Sequence, residues 1–189
     1  MSTHYVDIEL LPDPEFSQPY LLGALYAKLH RALVQLGSEH GIGVSFPGYS
    51  VRPRSLGGIL RLHGGGAELD CLLSTDWLRG MHDHVRSETV HLLPLELEHR
   101  QLCRRQFKTN AERLRRRRMR RKGETRDQAE AAIPDDMERQ PDLPYVRMRS
   151  SSTSQSFCLF LSLGDPQPEA IQGSFNSYGL SSTATVPWF

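Results

Sequence analysis

Residues 4–36 read HYVDIELLPDPEFSQPYLLGALYAKLHRALVQL, and the change of period inside this stretch decides the fold. Over residues 4–10 Tyr5 or Val6 alternates with Ile8 and Leu10, which is the period of a half-buried strand. From Gln18 to Leu36 the spacing becomes helical. Leu21, Leu22, Leu25, Tyr26, Leu29, Ala32, Leu33 and Leu36 share a face, and Gly37 supplies a stop.

Working outward, residues 42–46 (IGVSF) and 58–63 (GILRLH) are short β-type runs separated by a loop rich in Pro, Gly and Ser. A helical stretch is expected over residues 67–85 and a strand over 89–97. The order βαββαβ is that of a ferredoxin-like sheet with both helices on one face, an arrangement that implies no function by itself. The fold class is therefore α+β. Residues 1–98 are assigned to the ferredoxin-like domain and residues 99–189 to a C-terminal domain.

In that second part Asn110 is a suitable N-cap and Gly123 a suitable C′ residue, so a helix is expected over residues 111–122. A shorter helix fits residues 126–133, ended by Pro134. Strands are expected over 145–149 and 157–163, joined across Ser150–Ser154, to make a small sheet. The chain closes with the runs 174–179 and 186–189, and no solenoid repeat is present.

At 189 residues the chain can bury a core of modest size, as one domain or two small ones. No apolar run reaches the roughly 18 residues of a membrane span, and the first residues lack the charged and apolar regions of a signal peptide. The expectation is a cytoplasmic protein without a membrane partner. Cys71, Cys103 and Cys158 are odd in number and never form a C-x-x-C pair, so neither a disulfide framework nor a zinc site is indicated. His82-Asp83-His84 is the one dense cluster of ligand types, but i, i+2 spacing does not put both rings on one helical face, and it reads as surface.

The net charge of +1 conceals a strong separation, because residues 100–122 carry twelve Lys or Arg against the single acid Glu112. A concentrated positive field on an otherwise acidic body favours a polyanion at one face. Within residues 111–122 the arginines point in every direction and Leu114 and Met119 form no stripe, so the helix is expected to lie in or along a nucleic acid. The bland alternative is a solvated basic tract. RNA is favoured where a stem end, loop or bulge opens the deep A-form groove, as in a short hairpin.

These residues carry a resemblance over the length of the chain. The marks are Tyr5-Val6-Asp7-Ile8 with residues 12–16 (PDPEF), Lys28-Leu29-His30, residues 42–47 (IGVSFP), the arginine run 113–121, the segment from Arg149 to Phe157, residues 178–181 (YGLS) and the closing VPWF of 186–189. In that order the chain resembles the CRISPR repeat-processing endoribonucleases of subtype I-F. Arg118 departs from the family pattern, in which an apolar residue is usual, and the loops before Phe157 and after Tyr178 differ as well.

The resemblance implies a metal-independent cut at the 3′ base of a repeat stem-loop, with no cofactor. The ribose 2′-OH attacks the adjacent phosphate to leave a 2′,3′-cyclic phosphate and a 5′-OH. His30 matches the catalytic histidine, a residue whose unperturbed pKa of about 6.5 allows a neutral proton acceptor. On the predicted helix His30 lies at the edge of the apolar stripe beside Tyr26, where it can be both held and exposed.

Ser150 matches the serine that holds the 2′-OH, Ser152 the second serine of that loop, and Tyr178 the tyrosine that positions the histidine. For RNA binding, Arg104 and Gln106 match contacts at the foot of the stem, and Phe157 an aromatic stacked on the terminal base pair. Arg113, Arg116, Arg117, Arg120 and Arg121 match positions on the groove helix. The implied partners are pre-crRNA, mature crRNA and the other subunits of the type I-F surveillance complex. The alternative is a non-catalytic hairpin-RNA-binding subunit of that complex. A DNA-binding regulator is disfavoured, since no helix-turn-helix or zinc signature is present.

Overall fold

The structure is a computed structural model that describes residues 2–37, 40–107, 111–134, 142–150 and 154–189; within 111–122 the side chains of Ala111 and Arg113 lie outside the description. Ser152 and the expected N-cap Asn110 also lie outside the described residues. The chain divides into two compact units, residues 1–105 with 143–189, and residues 106–142.

The larger unit is α+β. Strand β1 (His4–Leu10) buries Val6, Ile8 and Leu10 and exposes the alternate side chains in part, which is the predicted period. It pairs antiparallel with β5 (Ile59–Gly64), which pairs in turn with β2 (Gly43–Ser45). On its other edge β1 takes β6 (Val85–Ser87) and β7 (His91–Leu92), so the sheet runs β2-β5-β1-β6 with β7 also on β1. Helix α1 (Gln18–Leu36) buries Leu21, Leu22, Leu25, Tyr26, Leu29, Ala32 and Leu33, so the face read from the sequence is the face in the core. Burying a leucine or isoleucine side chain stabilises by about 1.5–3 kcal/mol, which makes this stripe the main apolar element holding α1 in place.

A second sheet follows the order β10 (Tyr145–Arg149), β11 (Ser156–Leu163), β9 (Leu102–Arg105). Strand β10 is its edge, and α1 packs there. The close approach depends on Gly23, where a Cβ would overlap the Arg147 carbonyl oxygen. The last strand, β12 (Val186–Trp188), pairs with β8 (Glu98–Arg100).

Two expectations need correction. The helix predicted over 67–85 is α2 (Gly66–Ser74) and stops there, because Asp76 and Gly80 adopt positive φ of 49° and 77°. Trp77, Leu78 and Met81 keep the apolar spacing but are buried from turns. The strand predicted over 89–97 is only β7, whose Leu92 is exposed, and it ends before Pro94, which cannot donate to a ladder and is followed by the exposed Leu95. A short hairpin of β3 (Ser50–Val51) and β4 (Arg54–Ser55) lies inside the loop between the two early runs. Among the described residues no helix is long and apolar enough to cross a membrane.

The smaller unit contains α3 (Ala111–Lys122) and α4 (Arg126–Ala132), with bounds close to those read from the sequence. Gly123 has φ of 67° and its amide donates to the Met119 carbonyl, the geometry expected of a C′ glycine. Thr125 then caps α4 in a reciprocal box with Gln128.

Candidate active site and nucleic-acid interface

Tyr26 and His30 are four residues apart on α1 and therefore lie one above the other. They grip two successive carbonyls of the same turn. The Tyr26 hydroxyl donates to the Tyr178 carbonyl at 2.7 Å, and His30 Nδ1 lies 2.8 Å from the Ser177 carbonyl. Burial, with the nearby Tyr178 adding to it, pushes the Tyr26 hydroxyl well above its usual range, so it remains a proton donor. A carbonyl can only accept, so Nδ1 carries the hydrogen and neutral His30 presents Nε2 as its acceptor. The Tyr178 ring lies flat against the imidazole, with centroids 4.0 Å apart and planes within 1°.

The turn that carries this tyrosine is built from its own residues. Asn176 Oδ1 accepts from the amides of Tyr178 (2.8 Å) and Leu180 (3.3 Å), and the Asn176 carbonyl accepts from Gly179 (2.7 Å). Gly179 has φ of 68°, and a Cβ there would stand 2.5 Å from Val44 Cγ1. The Gly179 carbonyl accepts from Val44 N at 3.0 Å, which ties the turn to β2 in the main sheet. The imidazole is thus fixed in tautomer and plane by a turn anchored on both α1 and the sheet.

Ser150 lies on another element, the turn between β10 and β11. Its amide donates to the Gln155 carbonyl and its carbonyl accepts from the Ser154 amide, each at 2.9 Å. Arg149 Nε donates to the Ser154 carbonyl at 2.9 Å, and Ser154 has φ of 54°. His30 and Tyr178 are brought into direct contact, whereas Ser150 is linked to them through the packing of α1 on β10.

Arg104 and Phe157 are brought together across the β9–β11 pair, with the guanidinium carbon 5.8 Å from the ring centroid. Phe157 is half-buried against the core and presents the remainder of its ring. Gln106 is exposed and belongs to the smaller unit.

On α3 the arginines point in several directions, as expected, but they are not equivalent. Arg115 is buried and its Nε donates to the Ile133 carbonyl at 2.8 Å. Arg118 forms a two-pronged bond with Glu124 at 2.5 and 3.1 Å, and this bond holds the carboxyl below its usual range. Arg116 pairs with Glu112 at 3.1 Å, one turn away. Arg117, Arg120 and Arg121 are exposed and make no ion pair among the described residues, so they are the cations most open to an incoming polyanion.

Comparison with known proteins settles the family. A family model described as "CRISPR-associated protein (Cas_Csy4)" matches residues 5–189. The chain belongs to the Cas_Csy4 family. It is 45% identical over 186 residues to the "CRISPR-associated endonuclease Cas6/Csy4" of Pseudomonas aeruginosa (strain UCBPP-PA14), covering 98% of this chain and 99% of that protein. It is 43% identical over 186 residues to the protein of the same description from Escherichia coli (strain UTI89 / UPEC), with the same coverage. The resemblance carried by the motifs is therefore correct at the level of the family.

Some residues that shape the site in this Csy4-family chain are not evident from sequence alone. Tyr26 reads there as a member of the core stripe only, and Asn176 and Ser177 have no role. A signal is nonetheless present in residues 176–179 (NSYG): an Asx residue that can bond amides two and four places on, followed by a glycine able to take positive φ.

Proposed function

We propose that this chain is a metal-independent endoribonuclease that binds a CRISPR repeat stem-loop in pre-crRNA and cuts at its 3′ base. The observation that carries the reading is His30: one ring nitrogen is committed to the Ser177 carbonyl, the ring is stacked on Tyr178, and Nε2 is the acceptor of the neutral form. In the proposed step Nε2 takes the proton of the ribose 2′-OH. The 2′-oxygen forms a bond to phosphorus, the bond from phosphorus to the 5′-oxygen breaks, and that oxygen leaves protonated by water. The products are a 2′,3′-cyclic phosphate and a 5′-OH.

Ser150 and Ser152 are assigned to holding the ribose, and Arg104, Gln106 and Phe157 to the foot of the stem. Arg113, Arg116, Arg117, Arg120 and Arg121 are assigned to phosphates and a base of the groove. The names of the two relatives support the endonuclease class. The domain reading retains residues 1–98 as a ferredoxin-like unit, supported by the order β2-β5-β1-β6, and residues 99–189 as the RNA-binding part. After the cut the chain keeps the crRNA as a subunit of the type I-F surveillance complex in the cytoplasm.

The test is incubation with cognate repeat RNA in EDTA, beside RNA with a 2′-deoxyribose at the cut. Cleavage of the first alone is expected, and His30→Ala should abolish it while binding stays within about tenfold. Tight binding with no cleavage of either RNA would replace the enzyme by a non-catalytic hairpin clamp.

A further inference from the structure

A trans peptide unit is a rigid plate whose C=O and N–H point in opposite directions, so a bond at one end constrains the group at the other. In the plate that joins Ser177 to Tyr178, the N–H donates to Asn176 Oδ1 at 2.8 Å and the C=O lies 2.8 Å from His30 Nδ1. In the next plate the Gly179 N–H donates to the Asn176 carbonyl at 2.7 Å, and the Tyr178 C=O accepts from the Tyr26 hydroxyl at 2.7 Å. In the third the Leu180 N–H donates to Asn176 Oδ1 at 3.3 Å, and the Gly179 C=O accepts from the Val44 amide at 3.0 Å. Three successive plates are thus held by Asn176 at their N–H ends and by α1 or β2 at their C=O ends.

A plate held at one end can still rotate about that bond, whereas a plate held at both ends cannot. Bonding an N–H also polarises the C=O of the same plate, which strengthens the bond that the carbonyl accepts. The Cα of Tyr178 joins the first two plates, so the ring stacked on His30 is set by the same bonds as the carbonyl that faces Nδ1. Asn176 is exposed and stands outside the core cluster, so its side chain acts through the two amides it accepts from and not through packing.

We propose that Asn176 is a positioning residue for cleavage, which sets the plane and tautomer of His30 through the Ser177 carbonyl and the Tyr178 ring without touching the RNA. The proposal rests on the endoribonuclease reading above and adds to it a residue that works at one remove from the reacting atoms. The chemistry also fixes what can replace it. Both side-chain bonds end on a single oxygen, so an aspartate of the same length can accept them, and an alanine cannot.

The experiment measures single-turnover cleavage of cognate repeat RNA, and affinity for the hairpin, with the full chain and its variants. Asn176→Ala is expected to lower the cleavage rate by about tenfold or more while hairpin affinity stays within about twofold, which also reports that the variant is folded. Asn176→Asp should restore the rate to within about threefold of the parent. Combining Asn176→Ala with Tyr178→Ala should cost clearly less than the product of the two single losses, because both act on the same imidazole. An unchanged rate in Asn176→Ala, an equal loss in Asn176→Asp, or losses that multiply would overturn the positioning role while the endoribonuclease reading stands. Rate and hairpin affinity falling together in Asn176→Ala would make the residue a structural one and overturn it as well. Failure of the parent chain to cleave overturns the underlying reading, and this proposal with it.

Discussion

His30 matters less as a histidine than as a histidine whose Nδ1 is already bonded and whose ring plane is set. The Tyr178 hydroxyl has no part in that arrangement: the ring supplies the stack, and the backbone of residues 177 and 178 supplies the carbonyls. Tyr178→Phe should therefore keep cleavage within about threefold of the parent, whereas Tyr178→Ala should lower kcat by more than about tenfold with little change in hairpin affinity. Equal losses in both variants, read by single-turnover cleavage, would assign the role to the hydroxyl instead. Tyr26→Phe removes a buried hydrogen bond and leaves the Tyr178 carbonyl without its donor, which should destabilise by about 1–3 kcal/mol and slow cleavage as the turn loosens.

At the scale of elements, the legible parts are those in which period and packing agree. Helix α1 and strand β10 have the bounds read from the sequence, because their apolar stripes are the faces actually buried. Residues 75–81 mislead because Trp77, Leu78 and Met81 keep helical spacing while the backbone turns through Asp76 and Gly80. Burial registers apolar spacing however the chain delivers it. The division of labour on α3 is illegible for another reason: it depends on Ile133 and Glu124, acceptors contributed from beyond the arginine run. That division predicts two phenotypes. Arg116→Ala with Arg117→Ala should weaken RNA binding and reduce the slope of log affinity against log salt by about 0.7–0.9 for each phosphate left without its cation. Arg115→Met should instead leave that slope nearer the parent value and make residues 111–134 more sensitive to limited proteolysis, since it breaks the bond to Ile133. Indistinguishable effects of the two variants on the slope would count against the distinction.

At the scale of the molecule, the central strand β5 carries two groups that most cores exclude, Arg61 and His63. Arg61 is reconciled with burial by a two-pronged bond to Asp7 at 2.7 and 2.8 Å, by the Phe189 carbonyl at 2.7 Å, and by the rings of Tyr5 and Phe189 on which it lies. His63 is reconciled only as the neutral form. Its Nε2 meets the Ser45 hydroxyl at 2.8 Å, while burial, then the positive charge of Arg61 and the neighbouring His99, push its pKa down to about 3. Because the folded value lies below the ordinary 6.5, the unfolded chain holds the extra proton across the interval between them. The stability that His63 contributes is therefore complete above that ordinary value and is lost as pH falls toward about 3, at up to about 1.4 kcal/mol per pH unit. His40 and His99, also pushed down mainly by burial, act in the same direction. Asp13, held low chiefly by the amide of Phe16 and then that of Glu15, responds only below the ordinary carboxylate value of 3.8, so the upper part of the window belongs to the histidines. His63→Phe should flatten the decline of Tm with acidification across that upper part, whatever the substitution does to Tm at neutral pH. Parallel declines in the variant and the parent would mean that His63 is not the group whose protonation opens the fold.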